Sequence, residues 1–284
     1  MKEFFIKILE FTFDVYDACI FWVANMLTFN LDNSVLSEAA AMAEKINDNV
    51  VKPVAISIIT ICFLISFIKI LNKEDIVRIE TYAKIFFLMC FSKSAVNYSF
   101  NLCKRIYNVG AQMIQDAVTD YFREYITTQS DTFADNENKI SAALDGISVL
   151  GWIVVLSVST FFILGILISF FFVTALSWGR YVEILILMCG AALPMAFLPL
   201  EHEGRRIIIT YFKYFISIVL QGFVIVISMM ICTFLSRSIT LNLAPNPTGI
   251  ISFFAILGNS LINAIVLVTT VLKSTQIAQK WVGQ

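Results

Sequence analysis

Apolar residues in this chain fall in long blocks, where a soluble helix or strand would alternate them with polar ones. The clearest block is 54–71, VAISIITICFLISFIKIL, whose single charge, Lys69, sits near the end where a long side chain can reach an interface. Residues 147–178 run for 32 positions without a charge. At 1.5 Å per residue that is about 48 Å of helix, against an apolar bilayer core near 30 Å. One long span that tilts or extends beyond the bilayer fits there, and two do not. Two further spans are predicted at 211–235 and 250–272, separated by a loop with Pro245 and Pro247. A weaker span lies at 82–103, where IFFLMCF is interrupted by Ser92-Lys93-Ser94. Such a helix needs protein or water beside it.

The remaining segments are mixed. Residues 4–29 carry Glu10, Asp14 and Asp17 at i, i+4 and i+7, on one helical face. Each charge at a bilayer centre costs about 2.5–3.5 kcal/mol, so this reads as an amphipathic helix lying on the membrane; a sixth span with its acids against protein is the alternative. The same acids interrupt any cleavable leader. Residues 31–52 read as a linker or surface helix, and Pro53 suits the first turn of the helix that follows. Residues 104–146 form an acidic polar segment, helical to about Tyr125 and turn-rich beyond. Residues 182–200 are apolar but hold Gly190, Pro194 and Pro199, and only Gly179-Arg180-Tyr181 separates them from 147–178.

Composition turns these blocks into a class. Hydrophobic residues make up 58% and charged ones 14%, against about 45–50% and 25% in soluble domains. A globule of this size cannot hide that much apolar surface, and lipid can accept it. The predicted fold is an all-α polytopic membrane protein with about five transmembrane helices, an N-terminal amphipathic helix and a re-entrant or buried hairpin. Its parts are 1–52 (amphipathic region and linker), 53–103 (two spans), 104–146 (acidic extracytoplasmic segment), 147–275 (core bundle with the hairpin near 182–200) and 276–284 (tail). Six scattered cysteines without a C-x-x-C, together with a single histidine, His202, predict neither disulfides nor a metal site. No phosphate-binding loop, dinucleotide fingerprint or nucleophile elbow occurs, so no enzyme and no cofactor is expected.

Basic residues set the expected topology. If 182–200 crosses, Lys and Arg divide almost evenly between the two sides. If it does not, ten gather on one face, Lys69, Lys84, Arg180, Arg205, Arg206 and Lys213 among them, and four on the other. The positive-inside rule prefers the second arrangement, with the N-terminus outside and the C-terminus in the cytoplasm. The 182–200 segment is then a hairpin broken near Pro194, which is tolerated only where protein or a wet cavity satisfies its backbone.

Three helices carry polar residues at offsets of 4, 7 and 11, which keeps each set on one face. They are Lys93, Asn97, Asn101 and Lys104; Ser217, Gln221, Ser228 and Cys232; and Ser252, Asn259, Asn263, Thr270 and Ser274. Such stripes either bond helix to helix or border an aqueous path. Lys93 is the foremost pathway candidate. His202, Arg205 and Arg206 lie in a polar turn that is either simply solvated or a docking surface.

The stretch CGAALPMAFLPLEHEGRRIIITYFKYFISIVLQG, 189–222, resembles the TrbL/VirB-type polytopic inner-membrane subunit of conjugation and type IV secretion systems. The likeness lies in Ala191-Ala192-Leu193-Pro194, the paired Arg205-Arg206 and the aromatic helix start Tyr211-Phe212-Lys213-Tyr214. The central loop is shorter and more acidic than that family's, and no long C-terminal tail follows. The resemblance implies a channel or scaffold subunit in the bacterial cytoplasmic membrane. Its implied partners are membrane lipid, other secretion subunits including a cytoplasmic ATPase, further copies of itself, and relaxase-linked single-stranded DNA or protein as cargo. A small-molecule transporter or ion channel, and a scaffold that only anchors a partner, are the competing readings.

Overall fold

The computed structural model describes residues 2–32, 34–71, 79–122, 149–200, 202–243 and 250–283. All regular structure among them is helical: α1 Lys2–Leu27, α2 Ser34–Ile46, α3 Lys52–Leu71, α4 Ile79–Ala117, α5 Val149–Gly190, α6 Ala192–Ala196, α7 His202–Leu243 and α8 Ile250–Val282. A π-helical turn, Asn47–Val51, carries α2 into α3 almost without a break, and a second, Val118–Phe122, extends α4. The crest of the acidic segment beyond residue 122 and the loop with Pro245 and Pro247 lie outside the described residues.

Among the described residues, four helical stretches are long and apolar enough to cross a membrane: Leu36–Lys69, Gly151–Ala196, His202–Leu235 and Leu261–Val282. The protein is thus a polytopic helical membrane protein. The weak span expected at 82–103 lies wholly within α4 but is not one of the four, because Lys84, Lys93 and the serines flanking Lys93 dilute its apolar run. The expected boundary at Gly179-Arg180-Tyr181 does not exist either, since α5 is one helix of 42 residues. A lone glycine inside a helix costs only about 1 kcal/mol, and no proline intervenes before Pro194.

The chain forms two compact units. One comprises residues 1–28, 113–178 and 221–275; the other comprises 29–112, 179–220 and 276–284. The first unit is closed by stripes at helical spacing: Ile20, Val23, Ala24 and Leu27 of α1, Ile166, Phe170 and Val173 of α5, Ile225, Val226, Met229 and Cys232 of α7, and Ala264, Leu267 and Val271 of α8. The C-terminal part of α1 therefore packs against protein through Ile20, Val23, Ala24 and Leu27, while Glu10, Phe11, Asp14, Phe21 and Trp22 are exposed. Gly165 of α5 lies where an added Cβ would stand 2.6 Å from the Leu261 side chain, so these two helices meet closely.

The second unit packs Ala55 and Ile59 of α3, Val96 of α4, and Ala192, Met195 and Ala196 of α6 into one core. Small residues on α6 let its backbone approach its neighbours, the usual device of helices in lipid. The turn at 29–32 is tied to α4 by three contacts. Tyr107 donates a hydrogen bond to the Phe29 carbonyl at 2.7 Å. Lys104 pairs with Asp32 at 2.7 Å, and Asn108 Nδ2 donates to the same carboxylate at 3.1 Å. The Lys104 ammonium, and less strongly the Asn108 amide, hold the Asp32 carboxyl below its usual range.

Candidate functional site: a side-chain-satisfied helix break and a polar helix face

Residues 191–201 interrupt the path from α5 to α7. Pro194 and Pro199 each remove a backbone N–H, leaving the carbonyls four residues earlier without their helical donor. For Pro199 that carbonyl belongs to Met195, and Ser92 of α4 donates to it at 2.8 Å. Ser66 of α3 donates to the Pro199 carbonyl at 2.8 Å. Asn47 Nδ2, from the π-helical turn, donates to the Cys189 carbonyl at 2.7 Å. Tyr211 of α7 donates to the Leu187 carbonyl at 2.8 Å and faces the Cys103 thiol at 3.7 Å. Four side chains from four elements thus supply what the broken helix lacks, the condition for irregular backbone at membrane depth. Sequence reading placed the break near Pro194 but did not single out Asn47, Ser66, Ser92 or Tyr211. Their signal is faint, since a lone serine in an apolar run is common.

The contacts also show how far 182–200 travels within its unit. The Tyr181 ring meets that of Tyr107, with centroids 6.5 Å apart, and further along Met195 meets Ser92. Leu198 then shares a cavity wall with Lys84 and Leu88. From Tyr107 back to Lys84 is 23 residues of α4, roughly 34 Å of helix. The segment therefore runs the length of this unit beside α4, and α7 returns beside it, with Gly110 of α4 packed against Val219. Arg180 accordingly stands at the Tyr107 end, away from Lys84. The positive-inside count grouped Arg180 with Lys84, and the geometry corrects that grouping. Lys213 likewise lies away from Lys84, two residues past the Tyr211 that faces Cys103, and donates to the Gly283 carbonyl at 3.0 Å.

Arg180 is 2% exposed and lies 5.3 Å over the Tyr181 ring. None of its three guanidinium nitrogens has a hydrogen-bond partner among the described residues. A buried guanidinium is costly unless compensated, and here the aromatic face of Tyr181 supplies compensation.

The polar stripes divide by environment. On α4, Lys93, Asn97 and Asn101 are all exposed, and Cys90 and Ser94 with them. Lys104, in the same register, is held by Asp32. The neighbouring face of α4 is also exposed but apolar, with Phe91, Tyr98, Leu102 and Val109. The stripe on α7 is buried instead. Ser217 donates to the Tyr214 carbonyl, and Ser228 to that of Val224. Gln221 Nε2 donates to Ser274 of α8 at 3.1 Å, a direct bond between two stripes. Asn263 is buried, with its amide nitrogen unpartnered among the described residues. Asn259 lies in α8, but its side chain is outside those described. His202, Arg205 and Arg206 are exposed in the first turns of α7. Gly204 between them is buried, and the Phe197 carbonyl occupies the place where a side chain's Cβ would stand.

These features define a class: a multi-pass helical membrane protein in which, among the described residues, a polar face of α4 is left open. No cluster of metal-ligating side chains occurs among the described residues. The TrbL/VirB6 plasmid conjugal transfer like family matches residues 33–192, more than half of the chain, and the protein belongs to that family. The match covers α2 to the helix break and meets the 189–222 resemblance only over 189–192. No curated protein and no solved structure matches the chain.

Proposed function

We propose that this protein is a channel subunit of a conjugative DNA-transfer or type IV secretion machine, in which copies of the chain and neighbouring subunits enclose the polar face of α4. Family membership supports the machine. The observation that carries the channel reading is that Lys93, Asn97 and Asn101 form an exposed polar stripe on a helix whose adjacent face is apolar. An intramembrane lysine facing lipid is expensive, so this face is turned toward water or protein in the working assembly. The buried stripe of Gln221 and Ser274 serves helix packing instead. In this reading the cargo is single-stranded DNA linked to its relaxase, or protein, and a cytoplasmic ATPase drives it. The end of the second unit with Lys69, Lys84, Arg205 and Arg206 faces the cytoplasm, where Arg206 is open to a partner.

Cysteine labelling in cells carrying the assembled machine tests this. Native Cys90 is exposed and lies two turns from Asn97 on the same face, which makes it a built-in probe. With Cys90 replaced, Lys93→Cys, Asn97→Cys and Asn101→Cys are expected to react with a membrane-impermeant maleimide. Phe91→Cys and Leu102→Cys are expected to stay unlabelled. Blocking the labelled positions should lower transfer frequency. If the polar positions resist the reagent from both sides, the face packs against protein and the channel reading fails, leaving a scaffold.

A further inference from the structure

Charges in the second unit are ordered along its helices. On α3, Lys52 and Lys69 stand 17 residues apart with no charge between them, and on α4, Lys84 and Lys104 stand 20 apart. At 1.5 Å per residue these are about 26 and 30 Å of helix, close to the thickness of a bilayer's apolar core. The two helices lie side by side, with the Phe67 and Tyr82 rings together at the Lys69 and Lys84 end, and Ala55, Ile59 and Val96 in one core. Lys93 is the single charge of α4 between its two ends. It stands about 14 Å along the helix from Lys84 and about 17 Å from Lys104, near mid-depth.

The surroundings of Lys93 are one-sided. Ser92, Val96, Ser99, Phe100 and Cys103 are buried, and they turn that side of α4 into the unit. Lys93, Ser94, Asn97, Asn101 and Arg105 are exposed. Asp32 answers Lys104. Residues 81–115 contain no acid, so α4 itself offers no countercharge to Lys93 or Arg105. Among the described residues no ion pair engages either one. The open face of α4 is therefore polar and positive.

We propose that the water path along this face selects small anions such as chloride over cations. The proposal rests on the channel reading above, since copies of the chain must enclose the water. Each copy then adds one Lys93 ammonium at the same depth, and closed symmetry makes these into a ring. Rings of lysine or arginine give pores their preference for anions. At mid-depth such a ring is screened least by bulk salt, and the apolar walls strengthen its field. Arg105 adds a positive group where ions enter, and salt screens it more. Asn97 and Asn101 offer N–H donors to an anion and carbonyl oxygens to a cation, so they do not decide the sign. A unit charge about 4 Å from a passing ion in water gives a bias of about 5-fold.

The test reconstitutes the full-length protein, with Cys90→Ser in place, in planar lipid bilayers under a roughly tenfold KCl gradient. The reversal potential gives the ratio of chloride to potassium permeability, expected to be about 5 or more. Lys93→Gln should bring the ratio close to unity, and Lys93→Glu should invert it. Arg105→Gln should lower it less than Lys93→Gln does. Arg206→Gln, an equal charge change away from the face, should leave it unaltered. Should Lys93→Glu fail to fold, the same change of sign is made on folded protein. Lys93→Cys treated with a cationic methanethiosulfonate should keep the anion preference, and treated with an anionic one should lose it. Potassium preference in the parent protein, or a ratio that neither Lys93→Glu nor the anionic reagent moves, overturns the proposal and leaves the channel reading standing. Absence of conductance in every variant removes the water path, and the channel reading falls together with the proposal.

Discussion

Gly204→Ala places a single methyl group where the helix break leaves no room. The new Cβ would stand 2.6 Å from the Phe197 carbonyl carbon, nearer still to its oxygen, and 3.2 Å from the Leu198 Cα. Ordinary contact begins at 3.4 Å, so the Phe197 peptide must retreat by roughly 0.8 Å at least, and these are backbone atoms that cannot rotate away. Overpacking of this kind costs about 1–3 kcal/mol. Alanine returns at most about 1 kcal/mol through helix propensity, and less in a first turn. Moving residues 197–198 also strains the bond from Ser66 to the Pro199 carbonyl, worth about 1 kcal/mol. The net expectation is a loss of about 2 kcal/mol, or roughly 4–8 °C in Tm for a chain of this size. Thermal unfolding in detergent, followed by tryptophan fluorescence, measures it. Gly179→Ala is the control, because its Cβ meets nothing within 4 Å inside α5, and it should be neutral or slightly stabilising. If both variants melt together, the close approach of Phe197 to Gly204 does not constrain the protein, and the account of the break is wrong.

Ser92→Ala removes the donor to the Met195 carbonyl that Pro199 leaves open, and is expected to cost about 1–2 kcal/mol in the same melt. Ser57→Ala, which removes only a bond to its own helix at the Pro53 carbonyl, should cost almost nothing, and equal destabilisation by the two would contradict the bridging role. Arg180→Met trades a buried guanidinium, without a hydrogen-bond partner among the described residues, for an apolar chain of similar reach. Tm should therefore hold or rise, even though a cation no longer lies over the Tyr181 ring. A fall of several degrees would mean the charge has a partner that holds it. Asp32 has a folded pKa below its ordinary 3.8, so its stabilisation is complete above that value and disappears as pH falls through the folded pKa. The pair is largely exposed, so Asp32→Asn should cost less than about 1 kcal/mol at pH 7. The gap between variant and wild type should close below pH 3.8, and a gap that widens toward acid would reverse the assignment.

Sequence alone settled the class. Lipid tolerates long uncharged helices that a globule could not bury, so 54–71, 147–178 and 211–235 declared membrane helices before any contact was known. It also marked the break, since Pro194 and Pro199, five residues apart, each remove a backbone donor that a continuing helix would need. Where a helix continues was less legible. Gly179-Arg180-Tyr181 has the composition of a turn, but a glycine penalty of about 1 kcal/mol is small beside the packing of a buried helix. Only tertiary structure could assign the polar stripes, because a 3.6-residue period places Lys93 with Asn97, and Gln221 with Ser228, without saying what each face meets. One stripe is open and the other lies between helices, a distinction set by residues far away in sequence. The donors that make the break tolerable were hidden for the same reason. Asn47, Ser66 and Ser92 stand more than a hundred residues from the carbonyls they satisfy, and chain reversal alone brings them there.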